Sequence, residues 1–156
     1  MYLCIMNTKL YSLYCINIKV TISRYLILIK QEGEIMPFVT VNILEGKGKE
    51  YIKKVSDSIN EAVIETMAFP DDDRYQVINQ LSDDCLQYQG RESDRVMMHL
   101  VMRSGRSNKA KQAFYAKVGE YLSHRVQIKP ENVFITITEN HDVDFSFKDG
   151  VAQFVV

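Results

Sequence analysis

Phe38-Val39-Thr40-Val41-Asn42-Ile43-Leu44, with the turn Glu45-Gly46-Lys47-Gly48 behind it, decides how the rest of the chain reads. Its first seven residues are rich in branched side chains, as β-strands are. From Lys49 to Met67, apolar Ile52, Val55, Ile59, Val63 and Met67 recur every three or four residues, which is one face of a helix. Pro70-Asp71-Asp72-Asp73 ends that helix and leads into a second strand, Tyr75-Gln76-Val77-Ile78-Asn79-Gln80.

The same order then repeats. Val96 to Met102 reads as a strand, Ser104-Gly105-Arg106-Ser107 as a turn, and Asn108 to His124 as a helix with Phe114, Val118 and Leu122 on its apolar stripe. Lys129-Pro130-Glu131-Asn132 leads into a last strand, Val133 to Thr138. Turn glycine and helix-ending proline are 24 residues apart in the first half (Gly46 to Pro70) and 25 in the second (Gly105 to Pro130). That is an internal duplication of a β-α-β unit. A crossover helix of this length makes the two strands of each unit parallel. The predicted fold is α+β: duplicated β-α-β units form a four-stranded mixed sheet with two helices on one face. The other face is left bare, and its apolar positions call for a partner, so an oligomer is expected.

Residues 1–36 differ from 37–156. They hold scattered bases (Lys9, Lys19, Arg24, Lys30) and only two acids, Glu32 and Glu34. Their apolar runs are broken well short of the roughly 20 residues that a membrane span needs. They show no clean apolar block with a cleavage site of the kind a signal peptide carries. Back-translated, Gln31-Glu32-Gly33 can contain AGGAGG, a bacterial ribosome-binding sequence ending about eight nucleotides before the Met36 codon, so 1–36 is excluded from the fold. The expectation is that Met36 initiates the functional chain and that 1–36 is a translated leader. A strand-forming extension, suggested by Ile16-Asn17-Ile18-Lys19-Val20, is the alternative. If Met36 initiates and is removed, Pro37 becomes a free secondary amine. Inside a chain its nitrogen is an amide without basicity; at a terminus it titrates near ~8 and is tuned by its surroundings.

Composition excludes several classes. With 46% hydrophobic and 25% charged residues, the 156-residue chain is that of a globular protein. A net charge of -1 does not advertise nucleic acid or an anionic membrane as a partner. Lys47, Lys49, Lys53 and Lys54 cluster near a helix start without an RNP-like motif and read as a solvated face. Cys4, Cys15 and Cys85 form no pair with metal or disulfide spacing, which fits a reduced cytoplasm and no metal site. His99, His124 and His141-Asp142 show no ligand spacing and read as structural or exposed.

The motifs are specific in combination. Met36-Pro37-Phe38-Val39, Ile43-Leu44-Glu45-Gly46, Phe69-Pro70-Asp71-Asp72-Asp73-Arg74-Tyr75-Gln76, Gly105-Arg106-Ser107, Lys129-Pro130-Glu131-Asn132-Val133, Glu139-Asn140 and Asp144-Phe145-Ser146-Phe147 together resemble the tautomerase superfamily. Within it, the likeness is to the malonate semialdehyde decarboxylase group and related tautomerase-like proteins. The resemblance implies a homotrimer with a cofactor-free site around each N-terminal proline.

Carried over residue by residue, the resemblance makes Pro37 the catalytic proline. It makes Arg106 the guanidinium that holds a substrate carboxylate as a fork. Asp73 falls where an aspartate would orient water or stabilise a cationic prolinium. Phe145, Phe147 and Phe154 fall on the aromatic wall of the pocket. The decarboxylase has two arginines flanking one residue at the turn, whereas here the first position is Ser104 and the nearest substitute is Arg103. It also has tryptophan where this chain has Phe145. Both departures count against malonate semialdehyde decarboxylation and leave proline-based tautomerisation intact.

The expected activity is keto-enol isomerisation of a small 2-oxo or 2-hydroxyalkenoate acid, without cofactor, with neutral Pro37 as base. The alternative is decarboxylation or hydration of a 3-oxo acid, in which cationic Pro37 polarises the substrate and Asp73 activates water. The strand-helix order also fits a non-catalytic ferredoxin-like module, or a tautomerase-fold protein that only binds small acids.

Overall fold

A computed structural model of the chain describes residues 37–71 and 74–155. The expected leader over 1–36 and the candidate Asp73 lie outside the described residues. The elements are β1 (Phe38–Leu44), α1 (Lys49–Met67), β2 (Tyr75–Leu81), β3 (Val96–Arg103), α2 (Asn108–Val126) and β4 (Val133–Asn140). Short 3-10 turns span Pro130–Asn132 and Asp142–Asp144.

The sheet order is β2-β1-β3-β4. β1 runs parallel to β2, β3 runs parallel to β4, and β1 joins β3 antiparallel at the centre. Each β-α-β unit is therefore an intact neighbouring pair. In a split, ferredoxin-like unit another strand would separate the two, so that alternative is set aside.

Strand alternation decides what is buried. Val39, Val41 and Ile43 of β1 and Val96, Met98, Leu100 and Met102 of β3 face the helices and are almost wholly buried. They meet Val55, Ile59, Val63 and Met67 of α1 and Phe114, Val118 and Leu122 of α2. Both helical stripes are those read from the periodicity. Burial of each such side chain is worth about 1.5–3 kcal/mol, and this single layer is the core.

α1 ends where expected, and the ends of β2, β3, α2 and β4 run one or two residues beyond expectation. α1 stops at Met67, before the proline, because Ala68 takes a left-handed conformation (φ 55°) and its N–H donates to the Ile64 carbonyl. α2 runs on to Val126, where Gln127 (φ 64°) provides the same kind of stop. Its start is capped by Ser107, whose side chain accepts from the Ala110 N–H. β4 extends to Asn140 because Glu139 and Asn140 still have partners in Met102 and Arg103.

The opposite face of the sheet carries no helix among the described residues. Phe38, Tyr75, Val77 and Phe134 stand 43–45% exposed on it. Between them lie small polar pairs: Asn79 Nδ2 donates to Asn42 Oδ1 (3.1 Å), and His99 Nε2 lies 2.8 Å from Thr138 Oγ1. Of the lysines read as a solvated face, Lys47 pairs with Asp94 and Lys53 with Asp57, each at 2.6 Å.

Candidate active site

The register gathers the candidate residues at one edge of the sheet. Phe38 lies opposite both Tyr75 and Val101, so the start of β1 meets the start of β2 and the end of β3. The end of β4 joins them, since Arg103 pairs with Asn140. Pro37 is buried just before Phe38. By alternation it shares the helix-facing side with Val39.

Arg106 sits in the turn after β3. Its Nε donates to the Met67 carbonyl oxygen (2.7 Å), and its guanidinium lies 4.6 Å from the centre of the Phe69 ring. Both contacts come from the far end of α1, one from its last residue and the other from just beyond it. They spend one N–H and one face of the guanidinium. Among the described residues neither Nη group has a hydrogen-bond partner, which leaves that edge for a carboxylate. Burial first, and the neighbouring Arg103 charge second, pull the Arg106 guanidinium below its ordinary value.

The turn itself is held from β4. Gly105 has φ 118°, a conformation that side chains resist, and its N–H donates to Glu139 Oε1 (3.3 Å). Lys111 Nζ donates to the other oxygen, Oε2 (2.7 Å). The Lys111 hydrogen bond is the main reason that the Glu139 carboxyl lies below its ordinary 4.5; the Gly105 and Arg106 amides add to it.

Arg103 belongs to the other side of the sheet. Its Nε and Nη2 donate to the two oxygens of Asp142 (2.5 and 2.8 Å). Its guanidinium lies 4.9 Å from the centre of the Phe154 ring. Arg103, Ser104, His141, Asp142 and Phe154 line a cavity of about 670 Å³. Next to it, Phe38, Tyr75, Val101, Asn140, Phe145 and Phe147 line one of about 390 Å³. The two are joined through the aromatic residues, because Phe154 packs edge-on against Phe147 (ring centres 5.3 Å apart) and Phe145 (6.1 Å).

The three phenylalanines named from the sequence thus form one cluster, Arg103 borders it, and Arg106 lies near enough to feel the Arg103 charge. Asp142, read from sequence as structural or exposed, is the full partner of Arg103. Met67 and Phe69 were not anticipated as supports for Arg106, nor Glu139 as the clamp on its turn. The only sequence signal for Glu139 was its place in the Glu139-Asn140 motif. Among the described residues no cluster of three or more His, Cys, Asp or Glu could hold a metal ion. No described helix is long and apolar enough to cross a membrane.

Two family patterns, each described as tautomerase enzyme, match the chain: one over residues 37–93 and one over 73–148. A probable tautomerase of Bacillus subtilis, YusQ, is 29% identical over 126 residues, covering 77% of this chain and 99% of its own length. A second from the same organism, YrdN, is 29% identical over 127 residues, covering 77% of this chain and 97% of its own. Among solved structures, FG41 malonate semialdehyde decarboxylase inhibited by 3-bromopropiolate superposes with a TM-score of 0.70 at 27% identity, over 76% of this chain and 94% of that one. A fused 4-OT asymmetric trimer gives a TM-score of 0.66 at 15% identity, over 74% and 96%, and shows the same fold.

Proposed function

Because this chain belongs to the tautomerase superfamily, we propose that it catalyses cofactor-independent keto-enol tautomerisation of a small 2-oxo or 2-hydroxyalkenoate acid, with Pro37 as its base. The observation that carries this reading is the shared edge of the sheet. Pro37 is buried at the head of β1, while Arg106 presents an Nη edge with no partner among the described residues, from the turn after β3 at the same end. The family match over 37–93 also starts at Pro37.

The chemistry requires Pro37 to be the first residue, so that its nitrogen is an amine. Residues 1–36 are then a leader outside the working chain. Arg106 binds the carboxylate of the substrate. Neutral Pro37 takes a proton from the carbon next to the carbonyl and returns it at the other end of the enol system. The nearby guanidinium disfavours the prolinium cation and so draws the amine toward its neutral, basic form. Asp73 assists by orienting water or the prolinium. Phe145, Phe147 and Phe154 wall the apolar part of the pocket. The bare, partly apolar sheet face is buried in a cytoplasmic homotrimer, which accounts for its exposure in a single chain.

Likeness to the malonate semialdehyde decarboxylases supports a second reading, in which cationic Pro37 polarises a 3-oxo acid for decarboxylation or hydration. A pH–rate profile with phenylenolpyruvate tests the first reading. Activity lost below neutral pH supports the neutral base. Activity lost on the alkaline side supports the cationic acid. No activity, or activity indifferent to Pro37→Ala, contradicts a proline mechanism.

A further inference from the structure

Two arginines stand at this edge of the sheet, and their electrostatic situations are opposite. Arg106 touches a carbonyl and a ring, both neutral, and keeps its positive charge uncompensated among the described residues. Arg103 is matched oxygen for nitrogen by Asp142, a side-on fork in which both carboxylate oxygens are used. The neighbouring Arg106 is itself a cation, Phe154 lies beneath Arg103, and Val143 and Val155 line the same cavity. From there the aromatic cluster leads away toward Phe145 and Phe147.

We infer that Asp142 sets the substrate class: by neutralising Arg103 it makes the site select monocarboxylate acids with an apolar or aromatic substituent and reject dicarboxylates. This rests on the carboxylate-binding reading of Arg106 given above. A second carboxylate entering beside Arg103 has to displace Asp142 from its fork or lie next to its negative charge. Either costs free energy, which is how sites discriminate against a close analogue. An aromatic substituent instead meets the three phenylalanine rings. The carboxylate of Asp142 is not needed to build its own loop. That 3-10 turn is closed by Asp144, whose N–H donates to the His141 carbonyl and whose Oδ2 accepts from the His141 N–H. Asp142 is thus a positioning residue that acts through Arg103.

The test uses the natively expressed protein with phenylenolpyruvate and its para-carboxy analogue, which differ by one carboxylate. The wild type is expected to favour the monoacid in kcat/KM. Asp142→Asn should raise kcat/KM for the diacid about tenfold while the monoacid stays within about twofold, as expected for one partly exposed cation gained by the ligand. Adding Arg103→Gln to Asp142→Asn should abolish the gain. Asp142→Glu keeps the charge and should keep the wild-type preference. The inference is overturned if the wild type accepts both acids equally. It is also overturned if Asp142→Asn leaves the ratio unmoved, or if the gain survives Arg103→Gln. Calorimetric binding of phenylacetate and 4-carboxyphenylacetate separates this inference from the proposed reaction. Absence of turnover with both enols contradicts the tautomerase reading alone, and a binding preference for the monoacid that Asp142→Asn erases still supports the role of Asp142. Equal binding of the two by the wild type contradicts it.

Discussion

The Nε of Arg106 lies 2.7 Å from the carbonyl oxygen of Met67, so the turn of the second β-α-β unit is fastened to the end of the helix in the first. The two halves of the duplication are thereby joined at the residue proposed to hold substrate. Arg106→Ala removes both a ligand for the carboxylate and this tie. It should lower kcat/KM about 10- to 100-fold, mainly through KM, in keeping with the strength of a hydrogen bond to a charged group. Arg106→Lys should recover only part of the loss, because an ammonium cannot bond the Met67 carbonyl and a carboxylate with the geometry of the fork. Steady-state kinetics on both variants check this; unchanged KM would contradict it.

Glu139 gives the turn a pH dependence. Its carboxyl is depressed below 4.5 in the folded chain, chiefly by Lys111. The stability it contributes is therefore present above its unfolded value and is lost as pH falls through the lower folded value. With the Glu139 side chain 32% and the Lys111 side chain 19% exposed, the contribution should be below about 1 kcal/mol. Melting temperatures of wild type and Glu139→Gln should differ at pH 6 and converge near pH 3. A difference that persists at the lower pH would contradict this role.

Val77 tests the bare sheet face. It stands 44% exposed between Tyr75 and Asn79 on the side that carries no helix among the described residues. In the proposed trimer that position is covered, so Val77→Glu should shift the sedimenting species from trimer toward monomer. A wild-type protein that sediments as a monomer would contradict the trimer.

Leu100 tests the core. It is fully buried in β3, which pairs with both β1 and β4. Leu100→Ala should cost about 2–5 kcal/mol of stability, read by denaturant unfolding. A loss below about 1 kcal/mol would mean that this layer is not the main core.

The fold was legible because its signals are periodic. The β1 alternation, the α1 stripe ending at Met67 and the repeat of both from Val96 onward need only local spacing to be read, and that spacing places every element. The element ends were less so, since the left-handed stops at Ala68 and Gln127 use residues with no strong preference for that conformation. In the candidate site, the sequence names Pro37, Asp73, Arg106, Phe145 and Phe147 through their motifs and Phe154 beside them, and the described ones gather at or beside one edge. It does not name their supports. Asp142 on Arg103 joins positions 39 residues apart, as does Met67 on Arg106. Such pairings depend on how the two units meet, and no local pattern records them.

The proposed mechanism requires Pro37 to be a free N-terminal amine, and intact-mass spectrometry of the natively expressed protein reads that directly. The expected mass is that of a chain beginning at Pro37. A mass that includes residues 1–36 in the active protein would make Pro37 an amide and contradict the mechanism.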